Sequence, residues 1–275
     1  MKPLAVVGPS DSGKTTLVER LADRLREAGR VASIKHLKTE PTLDTEGKDT
    51  ARHRAAGAHR TLGITDDGEW FATGEKRTLA DALDALAIEF DYVIVEGYSS
   101  VDLPTVALGG RDHAGETLLE APEADAVDVE EVVEALADVQ PYETLESLVE
   151  RARSADGEEY AGAVATFTGR VRAKEREDDP PTKHLEFEKY EGVAEEKMDA
   201  IEADLRAREG VLDVFLYHRT GVVEAGEDIV HVVILAGHRR EAFRAVEDGI
   251  DRLKEEVPLF KKEVTVEDTF WAHES

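Results

Sequence analysis

Three sets of residues in this 275-residue chain have the types and spacing that chemistry requires. The first is Gly8-Pro9-Ser10-Asp11-Ser12-Gly13-Lys14-Thr15, followed by Thr16. Glycines at its first and sixth positions let successive backbone N–H groups wrap around phosphates. Lys14 then reaches the β- and γ-phosphates, and the Thr15 hydroxyl ligates Mg²⁺. Glu96, which closes the apolar run Tyr92 to Val95, stands where a carboxylate would reach that metal or its water.

The other two sets are cationic. Arg170, Arg172, Lys174 and Arg176 form one cluster, and His238-Arg239-Arg240 with Lys254, Lys261 and Lys262 form the rest. In a strongly acidic chain such groups point to an anionic ligand. Arginine offers a planar fork to phosphate or carboxylate, and a lysine among other cations can serve as base or nucleophile. Lys254 follows Leu253 near the end of a helical pattern and would project toward Lys261 past Pro258. The chain has no cysteine, so disulfides, thiolate metal sites and cysteine nucleophiles are excluded, and any sulfur must be imported.

These groups need a scaffold. Leu4 to Val7 reads as a strand, the glycine-rich loop turns it, and Thr16 to Ala28 sets Leu17, Leu21 and Leu25 on one helical face. Arg30 to Lys35 is the next strand, giving a βαβ unit. Asp81 to Phe90 reads as a helix before the strand Tyr92 to Val95. Thr117 to Leu119 and a helix from Val129 to Ala137 complete this part. The pattern changes near Val139-Gln140-Pro141, dividing the chain into domains 1–140 and 141–275. Beyond the boundary come a helix from Tyr142 to Arg153 and strands at 162–167, 184–188, 211–218 and 229–235. Helices are expected at 194–209 and 240–257, the latter with Phe243, Val246, Ile250, Leu253 and Val257 three to four residues apart as its apolar face. Glu175 to Thr182, with Pro180-Pro181, reads as a mobile loop, and Lys183 is grouped with it. The predicted fold is an α/β P-loop NTPase domain with a mostly parallel sheet, followed by an α+β domain.

The formal charge of −27 is shared between the two halves rather than concentrated in a tail. With 13 lysines against 21 arginines, an evenly acidic surface fits a protein of high-salt surroundings. It also repels a phosphate backbone, so nucleic acid is not an expected partner. No apolar run is long enough for a membrane helix, and Met1 to Val7 lead directly into the glycine-rich loop without a signal sequence, so a cytoplasmic, membrane-free protein is expected. The chain lacks asparagine altogether, which removes the Asn-Lys-x-Asp guanine reader of common GTPases.

Ile34-Lys35-His36, Gly47-Lys48-Asp49-Thr50, Arg52-His53-Arg54, Ala56-Gly57-Ala58 and Glu96-Gly97-Tyr98 resemble the MobB family of molybdopterin-guanine dinucleotide biosynthesis adaptors over about residues 1–140. The resemblance implies GTP and Mg²⁺ binding, dimerisation and assistance to a MobA-type guanylyltransferase. The family's basic residue after the Glu-Gly-aromatic motif is absent from Ser99 to Thr105.

Ala163 to Arg172, Leu185 to Tyr190, His218 to Gly221, His238-Arg239, Leu253-Lys254 and Pro258 to Glu263 resemble MoaE, the catalytic subunit of molybdopterin synthase. That resemblance implies a homodimer converting cyclic pyranopterin monophosphate to molybdopterin. Sulfur would come from the thiocarboxylate of a MoaD-type ubiquitin-like carrier. By motif position Lys254 and Lys261 match the catalytic lysines, and Arg172, His238 and Arg239 the anion-binding residues. Two other readings of the same residues are a nucleotide-gated adaptor that only docks a ubiquitin-like protein, and a P-loop small-molecule kinase.

Overall fold

The computed structural model describes residues 1–39, 49–189, 192–266 and 269–272. Residues 44–48 and Tyr190 of the family motifs lie outside the described residues. The chain forms two compact units, Met1–Tyr142 and Glu143–Ser275.

Unit 1 runs β1 (Lys2–Val7), α1 (Lys14–Leu25), β2 (Val31–Lys35), α2 (Asp49–Ala55), β3 (Arg60–Ile64), β4 (Trp70–Gly74), α3 (Leu79–Ala87), β5 (Tyr92–Glu96), β6 (Thr105–Leu108), β7 (Thr117–Ala121) and α4 (Val129–Ala137). Five strands form a parallel sheet in the order β2-β5-β1-β6-β7, while β3 and β4 pair as a separate hairpin. Strands covered on both faces become continuous apolar runs. Accordingly, Leu4 to Val7, Val93 to Val95 and Val106 to Leu108 are all buried. One face packs on Leu17, Leu21, Leu25, Val132 and Leu136 of α1 and α4, and the other on Leu83 and Ala87 of α3. Thr78 starts α3 with a reciprocal cap: its side chain accepts from the Asp81 amide at 3.1 Å, while Asp81 accepts from the Thr78 amide at 2.8 Å. The Thr78 hydroxyl, which also donates to the Asp81 carboxylate at 2.6 Å, and the Thr78 amide together hold that carboxyl below its usual range. The strand β6 was not expected from the sequence, because four residues behind Asp102-Leu103-Pro104 resemble a turn.

Unit 2 runs α5 (Leu145–Arg153), β8 (Ala163–Arg170), β9 (Thr182–Lys189), α6 (Val193–Arg206), β10 (Val211–His218), β11 (Gly221–Glu224), β12 (Asp228–Ala236), α7 (Arg239–Glu256), β13 (Leu259–Thr265) and β14 (Thr269–Ala272). Two antiparallel sheets, β10-β12-β8 and β11-β9-β13-β14, give the α+β arrangement. The first sheet carries α6 and α7 on one face and α5 on the other.

Three expectations need correction. Tyr142 does not begin the helix, which starts three residues later behind the cap Thr144. Tyr142 instead closes unit 1, donating its amide to Met1 O at 2.7 Å and its hydroxyl to Asp84. Phe243 is 66% exposed, and the buried row of α7 is Ala242, Ala245, Gly249, Ile250 and Leu253. Small residues let this helix approach the sheet closely: a Cβ on Gly249 would lie 3.2 Å from Val232 Cγ1. Lys183 is not in the loop but lies exposed on β9, whose pairing begins at Thr182 with Thr265.

Candidate functional site

The phosphate loop joins the C-terminal end of central strand β1 to α1, and its backbone is shaped for close approach. Gly8 has no room for a side chain, since a Cβ would fall 2.5 Å from Ser12 Oγ and 2.9 Å from Leu108 Cβ. Gly13 adopts φ 81°, a left-handed conformation that favours glycine, and a Cβ there would meet Ala124 Cβ at 2.7 Å. Asp11 also has positive φ, 64°. Ser12 is buried and donates from Oγ to Pro9 O at 3.0 Å, bracing the loop, while Ser10, Asp11, Thr15 and Thr16 remain exposed. Lys14 donates to the same Pro9 carbonyl.

Glu96 lies beside Thr15, as the strand order requires, for β5 is the neighbour of β1 and Glu96 is in register with Val6. The Thr15 hydroxyl is 3.2 and 3.3 Å from the two Glu96 carboxylate oxygens. A hydroxyl and a carboxylate are the hard oxygen donors that suit Mg²⁺, whose remaining positions water and phosphate usually fill. The residues therefore fit that ion. A third group stands in this cluster without having been singled out as a site residue: Lys35 Nζ is 3.0 Å from Glu96 Oε1 and 3.2 Å from Thr15 Oγ1. It ends β2 directly in register with the carboxylate, and in the sequence it stood out only as part of the Ile34-Lys35-His36 motif. Next to it, Gly97 and Tyr98 both take positive φ, and the turn stacks Tyr98 on His36 with ring centroids 4.4 Å apart.

Two further segments border the loop. The Ala124 amide donates to Ser12 O at 3.1 Å, and Arg20 donates to Ala124 O and Val127 O, each at 2.8 Å. Beside Pro9 a shallow cavity of about 420 Å³ is lined by Gly109, Gly110, Arg111 and Asp112.

In unit 2 the cationic residues divide between two ends of one layer. Lys254 lies exposed in the last turn of α7, and Lys261 lies on β13 just beyond Pro258. Among the described residues neither side chain has a hydrogen-bond or ion-pair partner, whereas neighbouring Lys262 is held by Glu186 at 2.7 Å. Arg172 follows β8 and pairs with Glu175 at 2.8 Å. His238 and Arg239 stand at the start of α7, exposed. The strand β12 feeds α7 through Gly237, and α7 returns along the sheet, so its C-terminal end comes back toward Asp228, the partner of Arg170. Arg172 thus shares an end of the sheet with Lys254, and His238-Arg239 occupy the opposite end. At 1.5 Å per residue the helix separates Arg239 from Lys254 by about 22 Å. Within one chain these two sets are not brought together.

His218, at the end of β10, is buried against Phe187 in an edge-on contact with ring centroids 4.9 Å apart, and its Nδ1 lies 2.7 Å from Arg219 O. Burial pushes its pKa down to about 4. Among the described residues no group of three or more His, Cys, Asp or Glu side chains could hold a metal, and no helix is long and apolar enough to cross a membrane.

Comparison with known proteins assigns both units. Residues 3–130 match the family model for molybdopterin guanine dinucleotide synthesis protein B, MobB, and residues 138–256 match that for MoaE protein. A Haloferax volcanii protein, named a probable molybdopterin synthase, is 53% identical over 274 residues, covering 100% of both chains. The molybdopterin synthase catalytic subunit of Caulobacter vibrioides is 40% identical over 115 residues, 42% of this chain and 74% of its own. The crystal structure of molybdopterin synthase from Staphylococcus aureus aligns with 31% identity over 50% of this chain and 94% of its own, at a TM-score of 0.43. The full-length relationship and the two ordered matches lead to one assignment: the chain belongs to the molybdopterin synthase family, with a MobB unit preceding a MoaE unit, and so to molybdenum cofactor biosynthesis.

Proposed function

We propose that unit 2 converts cyclic pyranopterin monophosphate to molybdopterin with sulfur from the thiocarboxylate of a MoaD-type ubiquitin-like carrier. Unit 1, in the same proposal, binds GTP with Mg²⁺ and assists a MobA-type guanylyltransferase in forming the guanine dinucleotide. The observation that carries the first half is the pair Lys254 and Lys261, both without partners among the described residues, at the corner where α7 turns into β13 in a chain that matches a synthase relative from end to end. A thiocarboxylate tail beside an anionic pterin concentrates negative charge, which the two ammonium groups offset while either can move a proton. Arg172 adds a fork for phosphate once its exposed pair with Glu175 is exchanged.

The separation of His238-Arg239 from the lysines favours a homodimer in which each site takes its lysines from one copy and its His-Arg pair from the other. His238 and Arg239 stand at the N-terminus of α7, whose backbone dipole adds to their attraction for an anion. In unit 1 the loop, Thr15 and Glu96 would hold the triphosphate and the ion. Mg²⁺, when bound, neutralises phosphate charge, while Lys14 leaves the Pro9 carbonyl for the phosphates. The cavity beside Pro9 supports a nucleoside position near Arg111 and Asp112.

The acidic surface supports a cytoplasmic protein adapted to high salt. Circular dichroism across KCl concentrations tests this, and full structure without salt would count against it. The synthase reading is tested by incubating the full chain with cyclic pyranopterin monophosphate and thiocarboxylated carrier. Molybdopterin is the expected product, and its absence with a folded protein and active carrier would reject the reading.

A further inference from the structure

The three polar side chains at the mouth of the phosphate loop form a closed set. Lys35 Nζ donates to Thr15 Oγ1 at 3.2 Å and approaches the Glu96 oxygens at 3.0 and 3.1 Å, and Thr15 in turn donates to Glu96. Lys35 is in register with Glu96 on adjacent parallel strands, both at the C-terminal edge of the sheet, the edge at which α/β sheets bind ligands. Its side chain is 53% exposed while that of Glu96 is 12% exposed. With the lysine end open to solvent, the pair contributes little to stability. The contact therefore calls for an explanation other than holding β2 to β5, which their backbone ladder already does.

The Lys35 ammonium and a divalent cation would draw on the same oxygens, Thr15 Oγ1 and the Glu96 carboxylate. Both cannot have them. We propose that Lys35 is a second cation of the phosphate site, which competes with the metal for Thr15 and Glu96 and, once displaced, turns to the terminal phosphate. The inference rests on the nucleotide reading of unit 1 and adds to it a source of discrimination between triphosphate and diphosphate. Displaced from three oxygens, an ammonium on a flexible four-carbon stem binds the most negative group within reach. In a triphosphate that group is the terminal phosphoryl, which a diphosphate lacks. Lys35 thus opposes metal loading when only diphosphate is present and is compensated when triphosphate is.

The test uses the full chain and two substitutions, Lys35→Met, which keeps length and removes charge, and Lys35→Arg, which keeps charge. Mn²⁺ binding in the presence of GDP is followed by electron paramagnetic resonance, and GTP and GDP affinities are measured by calorimetry. Lys35→Met is expected to bind Mn²⁺ about three- to tenfold more tightly with GDP and to lose about tenfold of its GTP-over-GDP preference, with Lys35→Arg in between. Its melting temperature should stay within a few degrees of the parent's, because the charge removed is at the solvent-exposed end of the pair. Unchanged metal affinity and unchanged GTP:GDP ratio in Lys35→Met would overturn the role of Lys35 alone. A parent protein that binds neither nucleotide would overturn the nucleotide reading and this inference with it.

Discussion

The two candidate sites are built on opposite plans. The phosphate site of unit 1 is mostly one stretch of chain: eight consecutive residues shape a loop, and its acid, 81 positions from Thr15, is brought in by the strand beside β1. The site of unit 2 has no such continuous stretch: it gathers single cations from the end of β8, both ends of α7 and β13, and leaves its His-Arg pair about 22 Å from its lysines. A site made mainly from a local turn needs its own strand and helix and, for its acid, one neighbouring strand. A site made from scattered cations depends on the whole fold and, in the proposal above, on a second copy.

The sharpest way to break this contrast is Lys14→Ala. It should reduce triphosphate binding in calorimetry at least 100-fold while leaving molybdopterin formation unchanged, because the two units have separate cores. A parallel fall in both would mean that the sites are coupled. Next in size, Lys254→Ala and Lys261→Ala should each lower synthase turnover about 100-fold or more. Arg172→Ala should instead raise KM. The exposed Lys183→Ala on β9 serves as the control, with a change below about twofold. Normal turnover in both lysine variants, with melting temperatures preserved, would favour a docking adaptor over an enzyme.

Acid should separate the units as well. His36, His53 and His59 of unit 1 are exposed, whereas His218 of unit 2 is buried with its pKa lowered to about 4. At neutral pH His218 is uncharged whether folded or not. As pH falls below about 6.5 the unfolded chain takes up a proton that the folded histidine refuses until about pH 4, so unit 2 should lose up to about 3 kcal/mol across that window. Urea melts from pH 7 to pH 4 should show it, and His218→Gln should flatten the dependence. Equal pH slopes in parent and variant would remove His218 as the cause. The finest probe is complementation. Mixing Lys254→Ala with Arg239→Ala chains should restore roughly a quarter of the activity if sites form across a dimer, since about half the molecules are mixed and each keeps one intact site. No recovery after verified subunit exchange would return the His-Arg pair to some other task.

Legibility followed the same contrast. The phosphate loop, Leu17-Leu21-Leu25 and the apolar strands could be read from the sequence because each obeys a local period or motif. Glu96 was readable because it closes such a strand. Lys35 was visible only as part of a family motif, since its meaning lies in the order β2-β5-β1, which no local pattern encodes. Phe243 misled because a large apolar residue at helical spacing suggests a buried face. In α7 the buried face is made by Ala242, Ala245 and Gly249, which allow close packing on the sheet, together with Ile250 and Leu253. The hairpin β3–β4 escaped notice because its strands carry Leu62, Ile64 and Trp70 on the surface, against the usual rule of apolar side inward.

The central position of β1 also governs the order of events during synthesis. Its two neighbours in the sheet, Tyr92 to Glu96 and Thr105 to Ala107, are synthesised well after it. At about 5 to 20 residues per second it waits about 5 to 20 s for both edges. Throughout that interval Leu4 to Val7, buried in the finished sheet, remain unpaired and adhesive. The loop that would grip a nucleotide therefore has no complete sheet to stand on until β6 has emerged.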